Sequence, residues 1–173
     1  MEKVGIIACA FGQQAEDKPG PSNEWIGKVT SYIRHLEQKK GNTPFVSTQW
    51  EIAGYMDTRL GDPANFWVSV YQDSETHYID TKGVLDRSLK YFQSKGVTRV
   101  IILAHPFHLF FIRLLITMRL WKVGKVQLDW SYSRELNFIP FDKSEGNVQS
   151  WTRGPFVFVA YLFKALLTKK HGN

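Results

Sequence analysis

With 173 residues, 43% of them hydrophobic, the chain is long enough for one domain with a sizeable core and too short to suggest two, so residues 1–173 are read as a single domain. Its 22 basic residues against 16 acidic ones give a net charge of +6, which suits an anionic partner; the signs are mixed and no basic stripe carries interleaved aromatics, so neither disorder nor nucleic-acid binding is expected. Cys9 is the only cysteine, which excludes a disulfide framework and a cysteine-based zinc site.

Taken in chain order, Val4–Ala10 reads as a first strand, followed by a polar loop holding Gly12, Pro19, Gly20 and Pro21. Ser22 or Asn23 is expected to cap a helix running to about Lys39, with Trp25, Ile26, Val29, Ile33 and Leu36 at helical spacing. Strands are predicted at 43–48 and 66–71, with a helix over 50–60 between them. Asp80-Thr81 is expected to cap a helix over 82–95. A fourth strand over 97–103 leads into a helix opened by Pro106 and reaching about Trp121. A fifth strand over 124–130, an irregular stretch and a last helix over 150–167 complete the chain. This alternation predicts a Rossmann-like three-layer α/β/α sandwich around a mostly parallel five-stranded sheet.

The start Met1-Glu2-Lys3-Val4 lacks the pattern of a secretory signal, and each apolar run is broken by a charge or falls short of the roughly 20 residues that span a bilayer. A cytoplasmic protein without stable membrane insertion is the expectation. Basic ends and aromatics leave peripheral membrane association open as a weaker reading.

In such a fold, loops after the strands share one face and their helix-start amides favour an anion. The candidates to bind a ligand there are Gly12, Ser47, Glu51, Asp80, Thr81 and His105, with His108 and Glu75 as acid/base groups. His105 and His108 flank the start of a helix, and an ordinary histidine pKa near ~6.5 allows proton exchange near neutrality. The bland alternatives are a cap for His105 and a satisfied, half-buried ring for His108. Asp80 and Thr81 are equally explained as a cap, and Glu51 as a first-turn carboxylate on the helix dipole. Arg113 and Arg119 either hold an anion or reach out to solvent from an apolar run. Trp25 and Trp50 start helices beside the crevice and either stack on a ligand or pack. No Walker loop, dinucleotide fingerprint or metal motif is present, so no cofactor is named and no metal is expected.

From Phe45 onward the chain resembles the bacterial domain family that includes YdcF, SanA and ElyC. The resemblance rests on Ser47-Thr48-Gln49-Trp50-Glu51, on the loop Glu75-Thr76-His77-Tyr78-Ile79-Asp80-Thr81 and on the strand end Leu103-Ala104-His105-Pro106-Phe107-His108. Asn137-Phe138-Ile139-Pro140 and Ser150-Trp151 resemble that family's closing segment. Glu75, Thr81 and His108 match the motif, whereas its Gly-Gly after Ser47 is missing and Phe111 stands where it has an arginine. The resemblance implies a Rossmann-like fold and a phosphate- or nucleotide-bearing ligand, with links in some relatives to the bacterial envelope. The expected function is a small-molecule-binding protein that acts on a phosphorylated or nucleotide-like substrate. The alternative is a non-catalytic binding or interaction protein with a vestigial crevice.

Overall fold

A computed structural model describes residues 1–12, 19–68, 81–117, 126–141, 143 and 152–160. Strand β1 (Lys3–Ala8) is followed by helix α1 (Pro21–Lys39), β2 (Thr43–Gln49) and α2 (Trp50–Tyr55), which continues as a π-helical turn over Met56–Leu60. Next come β3 (Phe66–Val68), α3 (Thr81–Lys95), β4 (Arg99–Leu103), α4 (Pro106–Thr117), β5 (Gln127–Asp129) and a 3₁₀ turn over Ser131–Arg134. Residues 155–160 are helical again and are called α5 below.

All five strands are parallel, in the order β3-β2-β1-β4-β5. β1 and β4 form the centre, and their apolar residues from Val4 to Ala8 and from Val100 to Leu103 are buried, as expected for strands covered on both faces. Alternation along the strands sends neighbouring side chains to opposite layers. Ser47 of β2 meets Ser88 of α3, and Phe66 of β3 stacks on Tyr91 of α3 at 4.8 Å. A Cβ at Gly5 would lie 2.5 Å from the Phe92 ring, so glycine lets α3 approach β1 closely. On the other face Arg99 reaches Glu37 of α1, and Gly27 of α1 packs against Tyr55 of α2. The sheet is therefore sandwiched between α1 with α2 on one side and α3 on the other.

Several boundaries differ from the sequence expectation. β1 ends at Ala8 because the Ala10 and Phe11 amides bond to side chains, although Cys9 N–H still donates to Leu103 O at 2.8 Å. β4 starts at Arg99, not 97, because Val97 N–H closes the end of α3 on Phe92 O around Gly96, whose φ is +69°. β5 covers 127–129. The described part of β3 ends at Val68, and 69–71 lie outside the described residues. Neither Ser22 nor Asn23 caps α1: Gly20 holds the cap position, with Pro21 opening the helix. Ser22 Oγ donates to Pro140 O at 2.6 Å, and Asn23 turns back to the loop after β1. Pro106 opens α4 as predicted.

Candidate functional site

The chain runs β1 to β2 to β3 in one direction and then returns to place β4 on the other side of β1. The strand order reverses between β1 and β4, and open α/β sheets form their ligand crevice at the carboxyl side of such a point. Two segments leave the sheet there: Cys9–Gly12 after β1 and Ala104–His108 after β4.

Side chains of the protein itself hold the first segment. Ala10 N–H donates to Gln49 Oε1 at 2.7 Å, and Phe11 N–H donates to Asn23 Oδ1 at 2.8 Å. Asn23 Nδ2 then donates to Gly12 O at 2.7 Å, which Gly12 permits by adopting φ +85°. Two amides that a phosphate would seek at a strand end are thus already occupied. Phe11 is fully buried, and its ring lies flat on His105 at 4.0 Å. Phe141 lies 4.3 Å from the His105 ring, and Phe158 lies 5.4 Å from Phe11. An aromatic cluster fills the space over β1 and β4.

His105 and His108 enter that cluster from the start of α4 and are 1% and 5% exposed. Burial, then the neighbouring His108, pulls the His105 pKa down to about 4, against an opposing pull from the Ile139 backbone. Neither ring nitrogen of His105 makes a hydrogen bond of good geometry. Burial also lowers His108 to about 4, opposed by the Ala10 backbone, and its Nε2 lies 2.8 Å from Thr81 Oγ1. Both rings are therefore neutral at pH 7. Burial pushes the Cys9 thiol up to about 12, so it is an inert packing group.

The other candidates scatter. Thr81 begins α3 and joins His108, while Gly12 shapes the loop beside Phe11. Ser47 turns away from the crevice into the layer between β2 and α3, where its hydroxyl meets Ser88 Oγ at 2.7 Å. Glu51 is buried in the first turn of α2. Glu75, Asp80 and Arg119 lie outside the described residues. Arg113 packs its guanidinium over Trp130 at 4.6 Å. Trp25 is exposed under Lys28.

Sequence reasoning takes Asn23 as a cap and Gln49 as part of the segment after the second strand, and it does not single out Phe11 or the bonds by which Gln49 and Asn23 hold this corner. A polar side chain directly after a buried strand was the available signal, because such a group must find a buried partner.

No protein-family model and no solved structure matches the chain. Two curated proteins, each named "Probable glucan 1,3-beta-glucosidase A" and coming from two strains of Aspergillus fumigatus, are 33% identical to it over 92 residues. The match covers 51% of this chain and 21% of each relative, so the chain is similar to a part of those proteins.

Proposed function

We propose that the chain is a small-molecule-binding Rossmann-like protein, resembling the YdcF, SanA and ElyC family, that takes an anionic phosphate- or nucleotide-like ligand beside His108 and Thr81. The resemblance extends the proposal to envelope-related metabolism in a bacterial cytoplasm. His108, with Glu75, serves as the acid/base group. The observation that carries this reading is the neutral histidine pair at the strand-order reversal, with His108 Nε2 held 2.8 Å from Thr81 Oγ1. A ring held neutral by burial can take a proton, and an anion bound beside it raises its pKa, so protonation follows occupancy.

One observation favours the second reading, a binding protein without turnover. Gln49 and Asn23 occupy the Ala10 and Phe11 amides, and Phe11 lies on the face of His105. Those contacts leave less of the crevice for holding a transferable phosphate.

A thermal-shift screen separates the readings, using inorganic phosphate, nucleotides, sugar phosphates and S-adenosylmethionine. Because the fungal relatives carry a glucosidase name, a glucan oligosaccharide belongs in the same screen. A ligand at 100 times its Kd stabilises the native state by about 2.7 kcal/mol, or roughly 5–10 °C in a chain of this size. His108→Gln is expected to keep most of that shift and to lower any turnover by about 10²–10⁴-fold. A shift without turnover in the wild-type chain selects the binding protein. No shift with any anionic compound contradicts an anion-binding crevice and leaves only the interaction protein with a vestigial one.

A further inference from the structure

The chain after β5 has an anchored root and a lightly held tip. In the 3₁₀ turn Tyr132 is buried with its hydroxyl on Glu37, and Leu136 just beyond it is fully buried. From Asn137 onward the backbone bonds are local: Asn137 N–H donates to Arg134 O at 3.2 Å and Ile139 N–H to Leu136 O at 3.1 Å. Among the described residues, one hydrogen bond of good geometry ties residues 137–141 to an element beyond this turn, from Ser22 Oγ to Pro140 O at 2.6 Å. Ser22 stands in the first turn of α1 beside Asn23, which holds the Phe11 amide, so the tie and the loop after β1 share one anchor.

What this tip covers is the histidine end of the crevice. The Phe141 ring lies 4.3 Å from the His105 ring, 5.7 Å from Phe11 and 5.2 Å from Phe107. Ile139 is buried with its backbone against His105, while Asn137, Phe138 and Pro140 are exposed. Phe11 lies flat on the imidazole, and Phe158 of α5 packs on Phe11. Beneath this cover both ring nitrogens of His105 are buried without a hydrogen bond of good geometry. Buried polar atoms left unpaired oppose closure, and lifting the tip returns them to water. Apolar packing and one hydrogen bond therefore hold residues 137–141 down against a penalty at the ring they cover. A segment with so few ties opens at a lower free energy than the whole fold.

We propose that residues 137–141 are a strap that keeps the crevice shut over His105 and lifts to admit a ligand, with the bond from Ser22 to Pro140 as its latch. The gating role rests on the reading of the crevice as an anion site, whereas the lifting itself does not. The closed strap is an autoinhibitory contact. A ligand binds only the lifted fraction, so its apparent Kd is the intrinsic Kd divided by that fraction. Whatever loosens the latch tightens binding by the same factor.

Carbethoxylation with diethyl pyrocarbonate at pH 7, read residue by residue by mass spectrometry, reports how often the His105 ring is uncovered, with exposed His35 as the reference. In the wild-type chain His105 is expected to react more slowly than His35. Its rate should stay nearly flat in urea below the unfolding transition, because lifting a strap exposes little surface. Ser22→Ala removes the latch and Phe141→Leu removes the ring. Each should speed His105 labelling about three- to tenfold, the equivalent of one net hydrogen bond or one aromatic contact. Calorimetry with inorganic phosphate should then show tighter binding to Ser22→Ala by the same factor. His105 labelling that rises with urea in step with global unfolding overturns the proposal, and so does labelling that both variants leave unchanged. Faster labelling with an unchanged phosphate Kd overturns the gating role. Faster labelling with no phosphate binding to either protein upholds the strap and contradicts the anion reading of the crevice.

Discussion

Lowering the pH from 7 to 4 is expected to remove a large part of the folding free energy, with His105 and His108 as the main cause. Both rings have their pKa lowered to about 4 in the fold, chiefly by burial, while the unfolded chain binds those protons near the ordinary histidine value of 6.5. Between these limits the unfolded state holds more protons than the native state, so stability falls as pH falls. The histidine contribution is fully present above about 6.5 and is lost progressively toward 4. Each ring accounts for up to about 3 kcal/mol across that window. Two rings then approach the total stability of a typical domain, about 5–15 kcal/mol. Urea unfolding at a series of pH values measures it. Replacing His105 with Phe, which can keep the stack on Phe11, and His108 with Gln should flatten the stability profile between pH 6.5 and 4. A wild-type profile that is already flat there would show that the rings are solvated.

Arg99→Met is expected to be the most damaging single substitution away from the aromatic corner. The Arg99 guanidinium bonds Glu37 at 2.7 Å, Asp129 at 2.6 Å and Glu2 at 2.9 Å from the start of β4. Glu37 is fully buried and also takes hydrogen bonds from Lys40, Asn42 and Tyr132. Burial alone would raise its pKa, yet the bonds from Lys40, Tyr132, Arg99 and Asn42 outweigh burial and hold it at about 2. Lys40, Asn42 and Tyr132 still hold Glu37 after the change, and losing one partner of a buried ion pair costs up to about 3–5 kcal/mol. For a chain of this size that is roughly 6–20 °C in melting temperature. Arg99→Lys should recover only part, since an ammonium cannot reach three carboxylates in the way a planar guanidinium does. Pairing Arg99→Met with Glu37→Gln should cost less than the sum of the two, which a double-mutant cycle reads directly. Strict additivity would mean that the bond contributes nothing.

Why the network escaped the sequence reading is a matter of chain distance. Arg99 reads locally as one more strand residue, and its partners Glu2, Glu37 and Asp129 lie 97, 62 and 30 positions away. The same holds for Phe11, which sits in a glycine-containing loop and is covered by His105, Phe141 and Phe158, all far along the chain. What was legible came from local pattern. The β-branched run of β4, the helical spacing of Ile26, Val29 and Ile33, and Pro106 at the first position of α4 were readable directly. Those features suffice for the parallel sheet and for bringing His105 and His108 to its carboxyl edge. Ser47 shows the limit: it is expected in the loop after β2, yet it lies inside that strand, whose alternation places it against Ser88.

The central claim is that a buried, neutral histidine pair stands at an anion-responsive crevice, and the titration of the two rings tests it most directly. Histidine side-chain nitrogen shifts can be followed by NMR from pH 7.5 downward, first in the free protein and then with saturating inorganic phosphate or the best-binding nucleotide. The expected result is a pKa of about 4 for both rings in the free protein, with His108 moving upward by about a unit or more when the anion binds. Rings that titrate near 6.5 without ligand, or a His108 value that a saturating anion leaves unchanged, would contradict it.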